Sequence, residues 1–141
     1  MRRRDPIVRM LETRRLYKME ETLYGHRPFN AITRQLTIRT LKHLAKQIWM
    51  EERPSYKMPT IRFGKGTMHV GRYYSWCDGD TIELAPTQQD KLTLIHELVH
   101  AMGYDDHDER FARRYKQLLK KYAPVEEKLI DEEFQKLHKE M

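Results

Sequence analysis

The sequence predicts one α+β domain over residues 1–141, a small antiparallel β-sheet packed on helices with a single buried helix at its centre. Three observations predict it. The stretch from Leu92 to Met102 carries Leu92, Ile95, Val99 and Met102 on one flank and Leu94, Leu98 and Ala101 on another. A helix apolar nearly all round is a buried helix. Short alternating runs at 60–63, 67–74 and 81–84 are parted by turn residues, and strands of that length need helices to pack on. Outside these lie segments with helical apolar spacing.

In chain order, the first helix is expected over 6–24, with Asp5 as N-cap, Pro6 at the first helical position and Gly25 as its stop. Ile7, Met10 and Leu11 begin its apolar stripe, which continues through Arg14 to Tyr17 and recurs at Leu23. A turn is expected at 28–30 and a second helix over 33–52, with Leu41, Leu44, Ala45 and Ile48 inward, Trp49 flanking, and Pro54 as its stop. His43 reads as a surface or boundary residue of that helix. Gly64-Lys65-Gly66 and Asp78-Gly79 are the turns of the sheet, with 67–70 and 71–74 extending one strand. Thr87, with Asp90 three residues on, resembles a capping box for the buried helix, and Gly103 suits a left-handed end. A further helix over 108–122 buries Phe111, Tyr115, Leu118, Leu119 and Tyr122. Ala123-Pro124 breaks it, and a charged helix follows over 125–139, in contact through Leu129, Ile130, Phe134 and Leu137. The basic N-terminal helix (1–25) and the charged C-terminal segment (124–141) belong to the same domain.

Composition narrows the classes. No apolar run approaches the ~20 residues that span a bilayer, and Met1-Arg2-Arg3-Arg4 has no hydrophobic stretch behind it to make a secretory signal. Cys77 is the only cysteine, which excludes an internal disulfide and a cysteine-built zinc ribbon. A cytoplasmic protein without a membrane partner is expected. The net charge of +6 and pI near 9.4 suit contact with a polyanion. Arg2, Arg3, Arg4, Arg9, Arg14, Arg15 and Lys18 concentrate that charge on the first helix, which reads either as a solvated face or as a site of non-specific DNA contact.

The chemistry lies in His96-Glu97-Leu98-Val99-His100. Four residues separate the histidines, a little over one helical turn, so both imidazoles leave the helix on nearly the same side and can share one Zn²⁺. Glu97 lies about 100° round the helix, where it reaches a water on the metal rather than the metal itself. A catalytic zinc needs a third protein ligand and an open position. His107 is that ligand, returned beside the helix by the reversal at Gly103; Asp105 and Asp106 are the alternatives, with ready roles as helix N-caps.

Thr93 to Ala101, followed by His107-Asp108-Glu109-Arg110-Phe111, resembles the SprT-like and related WLM zinc metallopeptidases. Those families carry a zinc-binding helix and then a third histidine four residues before a phenylalanine. The stretch from Gly71 to Leu84 is similar to the strand pair that leads into that helix in SprT-like proteins. The resemblance covers about residues 71–111. It implies a zincin-like minimal core around the His-Glu-x-x-His helix, with Phe111 packed beneath the site. It also implies a zinc-dependent hydrolase of protein or peptide substrates, with His96, His100 and His107 as ligands. Glu97 is then the general base that takes a proton from a metal-activated water and returns it to the leaving amine. Strand 81–84 is placed to line the cleft and pair with an extended substrate. Tyr73, Tyr74, Tyr104, His26 and His69 are candidates to stabilise the oxyanion. Cys77 is either a small residue at a strand end or an inhibitory thiolate.

Some features depart from the pattern. A metzincin would carry its third histidine where Asp106 stands, SprT-like proteins often add a four-cysteine ribbon, and the His100–His107 spacing is closer to WLM members. Two other functions fit the same residues. One is a zinc-stabilised nucleic-acid-binding or regulatory module; the other is a zinc amidase acting on cell-wall crosslinks.

Overall fold

A computed structural model describes residues 5–25, 30–69, 71–123 and 127–140. Arg2, Arg3, Arg4, His26, residues 28 and 29 of the expected turn, the break at Pro124 and the Leu129 side chain lie outside the described residues, and Asn30 begins a helix. The class is α+β, with helices around a small sheet. Among the described residues no helix is long and apolar enough to cross a membrane.

Helix α1 (Pro6–Gly25) begins as the sequence predicts: the Asp5 carboxylate accepts from the Ile7 N–H at 2.8 Å. Its buried face keeps the expected Leu23 but departs from the expected beginning of the stripe. Glu12, Leu16, Met19 and Leu23 are buried, whereas Ile7, Met10 and Leu11 are 63, 45 and 39% exposed. Spacing identifies an apolar face but not how far along the helix a partner extends, and the first two turns of α1 lie beyond the core.

The second expected helix is two, α2 (Asn30–Thr33) and α3 (Ile38–Glu52). The intervening residues pair with the turn before the metal-motif helix instead. Leu36 N–H donates to the Gln89 carbonyl at 2.8 Å, and the Gln35 side chain both accepts from Gln89 N–H and donates to the Thr87 carbonyl. Thr37 then caps α3, its hydroxyl accepting from Thr40 N–H. Leu41, Ala45 and Ile48 are buried, and Leu44 and Trp49 flank the core. His43 is exposed, as its sequence position suggested.

The sheet is mixed rather than antiparallel. Strand β5 (Thr81–Leu84) lies between β1 (Thr60–Phe63), which it pairs in parallel, and β4 (Trp76–Cys77), which it pairs antiparallel. Residues 67–74 do not continue one strand. They fold into a separate antiparallel ribbon, β2 (Thr67–His69) and β3 (Arg72–Tyr74), reversing at Gly71 with φ +76°. That extra reversal is why β5 runs alongside β1 in the same direction.

Helix α4 (Lys91–Ala101) buries every residue from Leu92 to Val99. Its cap is Asp90, not Thr87: the Asp90 carboxylate accepts from Thr93 N–H at 2.8 Å, while the Thr87 carbonyl serves Gln35. Gly103 ends the helix at φ +104°, as expected. Helix α5 (Glu109–Tyr122), capped by Asp108, and α6 (Glu127–Glu140) complete the fold. Phe134 of α6 packs edge-on to Tyr115 of α5 at 5.6 Å. Truncating the fully buried Phe134 to Ala is expected to cost about 3–5 kcal/mol, the range for a buried phenylalanine. Urea unfolding checks it; a change within experimental error would show that α6 merely rests on the core.

Candidate metal centre

Helix α4 projects His96, Glu97 and His100, and the turn after Gly103 brings His107 back against them. The His107 Nε2 lies 3.0 Å from His100 Nε2 and 3.2 Å from His96 Nε2. Among the described residues these three form a group close enough to hold a metal ion, with all ligand atoms within 4.8 Å of one another.

The far nitrogen of each ring is also engaged. His100 Nδ1 lies 2.8 Å from the Tyr104 carbonyl, and His96 Nδ1 lies 2.7 Å from the Glu20 carboxylate. A carbonyl and a carboxylate only accept, so both Nδ1 atoms carry hydrogen. In the neutral rings this leaves each Nε2 as a bare lone pair. His107 Nδ1 lies 2.9 Å from the Thr13 hydroxyl, which orients the third ring. Three imidazole nitrogens aimed at one point, two of them set as lone-pair donors by groups behind them, form a donor set that fits Zn²⁺.

Electrostatics distinguish the three rings. Burial opposes a charged His96, but the Glu20 carboxylate outweighs it and holds the pKa above its ordinary value. Burial first, and then the charge on His96, push His100 down to about 3 and His107 to about 2. Without a metal, therefore, His96 is the ring of the cluster that takes up a proton most readily, and a metal would bind in competition with that proton, while the other two rings stay neutral.

The expected alternatives to His107 are not part of the three-residue group. Asp106 is engaged by Arg9 at 2.9 Å, and Asp105 stands exposed on the rim of a cavity. Phe111 lies where the resemblance placed it, its ring centroid 5.1, 4.7 and 5.0 Å from those of His96, His100 and His107.

Sequence reasoning missed the contribution of α1. Arg9, Thr13, Tyr17, Glu20 and Tyr24 recur at helical spacing and form one stripe against the site. Arg9 holds the loop beside His107, Thr13 holds His107 itself, and Glu20 holds His96. The Tyr24 hydroxyl donates to Asp90 at 2.7 Å, pinning α1 to the cap of α4. The available signal was a row of Thr, Tyr and Glu beside the apolar face, which nothing within the helix itself required. What α1 presents outward from its described basic residues is chiefly Arg14 and Lys18.

Two cavities of about 390 and 330 Å³ open beside α4 and share Tyr17, Ser75, His96 and Glu97. The larger runs between α1 and the Arg72–Tyr74 strand; the smaller borders β4 and the turn at Asp78-Gly79. The strands on the cleft are therefore β3 and β4. β5 has both edges paired, so it cannot take a substrate backbone as the sequence suggested.

Glu97 has no hydrogen-bond partner among the described residues. Burial, countered by His96 and reinforced by Glu20, lifts its pKa to about 7. That is the range of an effective general base near neutrality. Burial also raises Cys77 to about 11, so without a metal the side chain is a thiol at neutral pH.

Of the expected oxyanion donors, Tyr73 lies beneath the Lys65 ammonium at 4.9 Å, Tyr74 stacks on Tyr17, and Tyr104 contributes its carbonyl to His100. His26 and the His69 side chain lie outside the described residues. Comparison with known proteins found no matching family model, no similar curated protein and no similar solved structure.

Proposed function

We propose that this protein is a zinc-dependent peptide hydrolase of the SprT-like or WLM type, with a zincin-like arrangement of α4. The observation that carries this reading is the convergence of three Nε2 atoms within 3.2 Å contacts beside an unpartnered Glu97, at the meeting point of two open cavities. His96, His100 and His107 would hold the ion. Zinc in such a site lowers the pKa of water to about 7 and polarises a carbonyl. The chain's own residues do the rest. Glu20, Thr13 and the Tyr104 carbonyl hold the three rings with their Nε2 atoms facing one another. Glu97 accepts the proton of the attacking water and delivers it to the leaving amine. The free edge of β4 offers backbone groups to an extended peptide. A structural zinc site closes with four protein ligands, whereas three are present here among the described residues, which favours the hydrolase over a zinc-stabilised binding module.

Elemental analysis of the purified protein is expected to give about one zinc per chain, as three histidines in one cluster imply. His107→Ala should lose most of it, while Asp105→Ala and Asp106→Ala keep it. Full occupancy in His107→Ala, with loss in either aspartate variant, would overturn the ligand assignment.

A further inference from the structure

We propose that the Tyr17 hydroxyl is the donor that stabilises the oxyanion forming on the scissile carbonyl, an inference that rests on the hydrolase reading above. Tyr17 borders both cavities, and so does Glu97. The ring is held on two sides, stacked on Tyr74 at 5.9 Å with 9° between planes and edge-on to His107 at 5.5 Å. One helical turn before it Thr13 bonds His107, and three residues after it Glu20 bonds His96, so α1 is anchored to the ligand rings on either side of Tyr17.

The hydroxyl itself has no hydrogen-bond partner among the described residues, although the side chain is half-buried. It is not one of the buried polar atoms left without a partner, so it opens to the cavities that the ring borders. Ser75, the other hydroxyl common to both cavities, is already committed: its Oγ donates to Gln88 and accepts from Ala85 N–H, each at 2.8 Å. Tyr17 is thus the uncommitted hydroxyl at the junction where a peptide would meet Glu97.

The step balances without a further reactant. As the water oxygen bonds to the carbonyl carbon, the carbonyl π pair moves onto oxygen, and the Tyr17 O–H donates a hydrogen bond to that charge while keeping its proton. When the pair returns, the C–N bond breaks and the amine leaves with the proton carried by Glu97.

The test compares zinc-loaded wild type, Tyr17→Phe and Glu97→Gln on labelled casein. Alongside turnover, calorimetry measures binding of an N-phosphoryl dipeptide, whose tetrahedral oxygens stand in for the oxyanion. Phenylalanine keeps the stacked ring and removes only an unpartnered hydroxyl, so zinc content and melting temperature should hold. In Tyr17→Phe, kcat should fall by about 10²-fold, the scale for one oxyanion donor, with KM little changed and the N-phosphoryl dipeptide bound correspondingly more weakly. A loss carried by KM alone, or undiminished kcat and dipeptide affinity, would overturn the proposal. Equal turnover in wild type and Glu97→Gln, or a wild type inert to casein, strikes the hydrolase reading instead. The binding measurement still decides Tyr17 then, since unchanged dipeptide affinity in Tyr17→Phe refutes a donor role without reference to turnover.

Discussion

Glu97→Gln is expected to keep its zinc and its fold while turnover falls by about 10²-fold or more, the usual scale for losing acid–base assistance. Glutamine has nearly the volume of glutamate and can still hydrogen-bond to a water, but it cannot take the water's proton. The three imidazoles and the groups behind them, Glu20, Thr13 and the Tyr104 carbonyl, are untouched. A second readout separates the variant from the wild type without any substrate. In the metal-free protein burial holds Glu97 up at about 7, above its value of 4.5 in an unfolded chain. Between those values the native state binds more protons than the unfolded state, so this group makes stability fall as pH rises through the window. The penalty is fully present above neutral pH, and glutamine removes it. With chelator present, Glu97→Gln should therefore melt higher than wild type at pH 8, with little advantage near pH 4. Equal turnover in the two proteins, each carrying zinc, would refute the hydrolase reading and promote the zinc-stabilised module.

The half of the site legible in sequence is the half built from local spacing. His96, Glu97 and His100 declare themselves because helix geometry converts a four-residue interval into a shared face. Gly103 announces the reversal that returns His107, and Phe111 follows in register with the next helix. The other half depends on contacts between residues far apart in the chain. Glu20 meets His96 across 76 residues and Thr13 meets His107 across 94, and no periodicity within α1 encodes either partner. The arginines on that helix drew attention to polyanions, while the polar stripe between them was facing the histidines.

The sheet shows the same limit. Alternation located the strands, but the parallel pairing of Thr60 with Thr81 depends on a hairpin at Gly71 that reads, in sequence, as a continuous strand. The cap of α4 was ambiguous for a different reason. Thr87 and Asp90 are both good N-cap residues, and the choice fell to Asp90 once Tyr24 and Thr93 were there to satisfy its buried carboxylate.

Glu20→Gln is expected to weaken zinc binding by about 10–100-fold, the range for losing the partner that orients a histidine ligand. Glu20 Oε2 accepts from His96 Nδ1 at 2.7 Å and from the Tyr115 hydroxyl at 2.7 Å, so one carboxylate oxygen joins α1, α4 and α5 behind the metal position. Its negative charge strengthens His96 as a donor and fixes which nitrogen faces the ion. Glutamine's one carbonyl oxygen can stand where Oε2 does and accept from both His96 and Tyr115, but the charge is lost and each bond is weaker. The ring should then be free to rotate or to shift its proton to Nε2, and either event removes a ligand. Competition against a chromogenic chelator measures the affinity, and a melt of the zinc-free protein separates ligand orientation from general loosening. The zinc-free variant should lose less stability than the zinc-loaded one, because part of the loss arises only when metal binding is coupled to the fold. Wild-type zinc affinity in a folded Glu20→Gln would mean that the bond to His96 is packing alone, and that α1 covers the metal centre without helping to build it.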